Sequence, residues 1–132
     1  MSIRLPALLA GIVSLLAVQA SAHHSFSAEF DANVPISLTG VVTKIEWSNP
    51  HVWFFIDVTD ENGAVINWGW EMGSPNGLMR QGWTRNSMAI GDIVSVDGSG
   101  AKDGGNRANA RVVLLTATGD RLFAASSQGQ AP

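Results

Sequence analysis

Three histidines carry the most chemistry in this chain: His23, His24 and His51. Cleavage after Ala22 would leave His23 as the mature N-terminus. Its free α-amine and its own Nδ1 then chelate one copper ion. A further imidazole completes a T-shaped site of three nitrogens, the planar arrangement that suits Cu(II). His51, at the start of an expected strand, is the candidate third ligand, and His24 competes for that place. Cleavage after Ala20 would instead expose Ser21-Ala22-His23, and a histidine at the third position of a free terminus is itself a Cu(II) chelate. The plainer account is that residues behind a cleavage site are arbitrary and that His51 only hydrogen-bonds the turn at Asn49-Pro50. Met72, Met79 and Met88 are soft thioethers that suit Cu(I), yet flexible methionines more often fill gaps in a core.

This chemistry depends on export. Arg4 supplies a positive n-region, Leu5 to Val18 is almost wholly apolar, and Ala20-Ser21-Ala22 supplies the small residues of a cleavage site. The apolar run, about 14 residues, is shorter than the roughly 20 that a helix needs to cross a bilayer. The sequence therefore predicts a signal peptide over 1–22, no transmembrane segment in the mature protein, and a periplasmic or secreted product. A terminal histidine with a second histidine elsewhere resembles the histidine brace of periplasmic copper-binding proteins and copper oxygenases, in those two features alone.

Composition narrows the field further. Removing 22 of the 132 residues leaves 110, enough for one domain with a modest core. Cysteine is absent, which excludes disulfides and thiolate metal sites. Without Arg4 the mature chain carries 7 basic and 11 acidic residues, a net charge of −4. That balance argues against nucleic acid as a partner.

The elements that must position the histidines read as β. Residues 23–35 form a polar arm with Phe26 and Phe30 as anchors. Alternation then runs over Ile36–Trp47, with Leu38, Val41, Thr43, Ile45 and Trp47 in period two after a bulge at Gly40. Ser48-Asn49-Pro50 breaks it. The second strand, His51–Thr59, places Val52, Phe54, Ile56 and Val58 on one face and Trp53, Phe55 and Asp57 on the other. Asn62-Gly63 marks a hairpin tip, and Ala64–Met72 returns with Ile66, Trp68 and Trp70 aligned. Ser74, Pro75 and Gly82 frame a short helix, Pro75–Gln81. Strands follow at Ile93–Gly98 and Arg111–Thr118 around a loop, Ser99–Ala110, with a short strand at Arg121–Phe123. Residues 124–132 read as a disordered tail.

This order, β1-β2-β3-α-β4-β5, predicts an all-β domain over 36–123, a small five-stranded OB-like Greek-key barrel. Another small barrel or sandwich is the alternative. In such a barrel the loop between strands four and five commonly binds ligands. Here it holds Lys102, Asn106, Arg107 and Arg111, with Arg85 near the helix end, so an anion or glycan is the alternative ligand. The plainer account is a solvated loop. A third class is an adaptor that docks on an envelope protein partner through Trp47 or Phe55. Asp57, Glu71 and Asp92 belong to no recognisable catalytic motif, so the sequence favours binding or carriage of copper over a reaction.

Several segments taken together resemble a family of small exported bacterial proteins known only as a domain of unknown function. They are Ala22-His23-His24-Ser25-Phe26, Trp47-Ser48-Asn49-Pro50-His51, Glu71-Met72-Gly73-Ser74-Pro75-Asn76, Gly82-Trp83-Thr84-Arg85, Ala101-Lys102-Asp103-Gly104 and Arg107-Ala108-Asn109-Ala110-Arg111. The resemblance spans nearly all of the mature chain. It implies export and a bacterial origin, and it brings no catalytic residues.

Overall fold

The computed structural model describes residues 26–125. The signal segment, His23, His24 and the chain after Ala125 lie outside the described residues. The elements run β1 (Phe30–Glu46), β2 (Trp53–Thr59), β3 (Val65–Glu71), α1 (Pro75–Arg80), β4 (Ile93–Ala101), β5 (Arg107–Leu115) and β6 (Asp120–Phe123). The all-β class and the helix between the third and fourth strands are as expected, and β6 joins the five strands as a short sixth.

Antiparallel ladders join β1 to β2, β2 to β3, β1 to β4, β4 to β5 and β5 to β6. One parallel pairing, β3 with β5, closes the strands into a ring, as an OB-like arrangement requires. The β2–β3 hairpin forms where Asn-Gly indicated. Asp60 Oδ1 accepts from the amides of Asn62 at 2.8 Å and Ala64 at 2.9 Å, and Gly63 takes the left-handed conformation that closes the turn. The helix also begins as read. Ser74 Oγ accepts from the Gly77 amide at 3.2 Å, Pro75 sits in the first turn, and Gly82 has φ +97°.

The interior is continuous and apolar. Val52 just before β2, Phe54 and Ile56 from β2, Trp70 from β3, Val94 and Val96 from β4, and Ala108, Ala110 and Val113 from β5 are all inaccessible to solvent. Leu78 of α1 and Trp83 of the following loop pack into the same core. Trp83 is fixed there by its indole N–H, which donates to the Phe123 carbonyl at 3.0 Å and so ties this loop to β6.

Four boundaries differ from the sequence expectation, each for a physical reason. The bulge lies between Val42 and Lys44, not at Gly40. Val42 therefore keeps the phase of Ile36, Leu38 and Gly40 and is buried while Val41 is 41% exposed, and the alternation flips only after it. Gly40 serves another purpose: a Cβ there would collide with the Asp57 carbonyl of β2. Strand β1 begins at Phe30, inside the expected arm, because Phe30 is buried and pairs with Ala101. The expected loop Ser99–Ala110 is mostly strand, since Gly98, Ser99 and Gly100 of β4 pair with Ala110, Asn109 and Ala108 of β5. Their small side chains suggested a loop, whereas they permit close backbone approach. Finally, Ala124 is not part of a loose tail: it is fully buried, and its carbonyl accepts from the Gly73 amide at 2.9 Å.

Gly98 is the tightest of these approaches. A Cβ there would meet the Asn109 carbonyl across the β4–β5 irregularity. Gly98→Ala is expected to lower stability by about 1–3 kcal/mol, the usual cost of overpacking, measured as a shifted urea midpoint at unchanged slope.

Candidate functional site

His51 lies just before β2, and backbone pairing extends past the strand end to grip its base. The Val52 amide donates to the Gly73 carbonyl at 3.0 Å, and the Met72 amide donates to the Val52 carbonyl at 2.8 Å. The ladder sets Trp53 opposite Glu71, so His51 is the diagonal neighbour of Glu71 on the same outer face. The two side chains meet: His51 Nδ1 is 2.9 Å from Glu71 Oε1. The parallel pairing sets Glu71 opposite Asn109, whose Nδ2 donates to the same oxygen at 3.1 Å. Asn109 is buried, at 4% exposure, and is the one buried polar side chain of the described core.

The hydrogen bond to Glu71 raises the His51 pKa above its usual value, against burial, which lowers it; the Glu71 charge adds to the rise. It also fixes the ring. Nδ1 is occupied, and Nε2 takes no partner among the described residues. Metal-binding histidines characteristically donate one ring N–H to a carboxylate and coordinate through the other nitrogen. Among the described residues no group of three His, Asp or Glu side chains converges on a metal position. A complete site on this face therefore needs ligands from outside residues 26–125, where His23 and His24 lie.

The arm that leads to those histidines is strapped to the ring. Residues 26–29 make a helical turn, and the Phe26 ring packs 5.9 Å from that of Phe30. The Lys102 amide donates to the Glu29 carbonyl at 2.9 Å, and its ammonium donates to the Ser27 carbonyl. Arg107 forks between Glu29 and Asp103. The Gly105 amide, with Arg107 behind it, holds Asp103 below the usual carboxylate range. Arg107 and Asn109 stand on one face of β5, about 7 Å apart along the strand. The anchor of the arm and the support of His51 are thus neighbours.

This arrangement redistributes the residues that sequence grouped as an anion loop. Lys102 and Arg107 hold the arm rather than standing free. Asn106 contributes its backbone carbonyl, which accepts from the Gly69 amide at 3.0 Å. Arg85 is exposed on the loop after α1, beside Trp47, Met72 and Met88 and away from the others. Arg111 is a strand residue on β5 and makes no ion pair among the described residues. Of the two proposed docking aromatics, Trp47 packs partly against the core, and Phe55 stacks on Trp53 at 6.4 Å under the Lys44 ammonium.

A family model described as a family of unknown function (DUF6152) matches residues 10–110. The chain belongs to this family. Among curated proteins none matches it. Family membership thus brings a shared sequence pattern but no assigned chemistry, and the described residues include no helix long and apolar enough to cross a membrane.

Glu71 and Asn109 are the partners that sequence analysis did not connect with His51. The signal for Glu71 was present: counting back from the Asn-Gly turn places it diagonal to His51. Asn109 has none, because the small and polar residues around it have the composition of a loop. Glu71→Gln is expected to lower the His51 pKa, since burial, which opposes the rise, remains, followed by the imidazole shifts in an NMR titration. The pH dependence follows from the direction. The stabilisation from this pair is full below the unfolded histidine value and fades as pH rises through the elevated folded value. The variant is expected to lose that dependence.

Proposed function

We propose that this protein is an exported copper-binding protein, released by cleavage after Ala22, and that it binds or carries one copper ion. The ligands in this reading are the His23 amine, the His23 imidazole and Nε2 of His51, with His24 the competitor for the third place. The observation that carries it is the His51–Glu71 hydrogen bond, which leaves one ring nitrogen available in a fixed orientation. The strapped arm adds support. Phe26 is three residues from His23, a span of at most about 10 Å, and it lines the same cleft as Asn109, which hydrogen-bonds Glu71. In this reading Glu71 and Asn109 orient the ring without touching metal. Binding requires a neutral imidazole, so affinity falls as pH drops through the raised His51 value.

The test is the intact mass of the exported protein, followed by Cu(II) titration against a competing chelator. A mass beginning at His23 and one tight copper are expected. His51→Ala, or one extra residue before His23, is expected to weaken that copper by at least tenfold. Glu71→Gln is expected to cost about 10–100-fold, as losses of such supporting partners do. A start elsewhere, or copper affinity indifferent to both His51 and His24, removes the proposal. An effect of His24→Ala in place of His51→Ala would reassign the third ligand.

A further inference from the structure

A cleft of about 620 Å³ opens where β1 leaves β4. Pairing jumps from Phe30↔Ala101 to Pro35↔Ser99, so four β1 residues face one β4 residue and must bow outward. The cleft is lined by the apolar residues Phe26, Pro35 and Ile36 and by polar ones that include Ser99, Asn109 and Arg111. Its size is that of a small-molecule site, about 300–1,000 Å³.

Two polar groups there lack partners that other residues have. Lys44, Arg107 and Arg121 each pair with a carboxylate, whereas Arg111 pairs with none among the described residues. Asp97, at the same cleft, is already engaged, accepting from Ser37 Oγ at 2.7 Å and from Arg121 at 3.4 Å. The guanidinium of Arg111 is therefore the uncompensated charge. Asn109 spends one amide N–H on Glu71. That contact fixes its orientation, because an ionised carboxylate only accepts. Its carbonyl oxygen takes no donor among the described residues, and it is not one of their side-chain atoms sealed from solvent without a partner, so a donor in the cleft can reach it.

We propose that this cleft binds a small organic carboxylate with an apolar body and a neighbouring hydroxyl or amine. The carboxylate meets the Arg111 fork, the neighbouring donor meets Asn109 Oδ1, and the apolar body lies against Phe26, Pro35 and Ile36. The inference stands apart from copper, and its test is run in excess EDTA so that no metal contributes.

The probe is 3-phenyllactate, with its neutral amide as the comparison, titrated calorimetrically into the purified protein. Saturable one-site binding is expected, weaker by about tenfold or more for the amide and for Arg111→Gln. Lys44→Gln, on the far part of β1, is expected to bind as the parent does. Absence of saturable binding at millimolar probe, equal binding of the amide, or full retention by Arg111→Gln would each overturn the proposal.

Discussion

The short parallel contact between β3 and β5 is what the rest of the molecule depends on. It consists of three residue pairs, Gly69↔Arg107, Trp70↔Ala108 and Glu71↔Asn109. The inward member of this set, Trp70 with Ala108, is wholly buried and belongs to the core. The outward members are the residues with chemistry. Closing the ring therefore brings Asn109 to Glu71 and sets Arg107 beside Gly69, whose bare backbone leaves room for the Phe55 and Trp53 rings. Parallel pairs are somewhat weaker per residue than antiparallel ones. Side-chain hydrogen bonding from Asn109 to Glu71 reinforces the contact at its end.

Much of the fold was legible because local signals agreed with the global arrangement. The Asn-Gly turn, the Ser-Pro helix start and the alternation of β2 each had a mechanism that tertiary structure did not oppose. The misreadings share a cause. Residues 99–110 are small and polar, which resembles a loop, yet packing against two neighbouring strands overrides that weak preference. Val41 and Val42 are indistinguishable by type, and only the bulge decides which one is buried. His51 was recognisable as a candidate from its chemistry alone. Its outer support was not, because Asn109 reaches Glu71 through a strand pairing across 38 residues of chain.

Electrostatics on the outer face follow from the same closure. The basic residues of β5 and the turn before it serve different masters according to their position. Lys102 and Arg107, near the turn, meet the arm. Arg111, two residues beyond Asn109, is past the reach of Glu29 and faces the cleft instead. A run that looks uniform in sequence is thus divided by the period of the strand, which spaces alternate side chains by about 7 Å.

The filled interior has a consequence of its own. With Trp70, Phe54 and Met72 packed inside and Trp83 stopping one end, this ring has no lumen. A ligand of this fold would sit on the outside, held by a few side chains and reachable by a second molecule without the fold opening. Exchange of a ligand bound there would be a matter of surface collision, with no opening of the core.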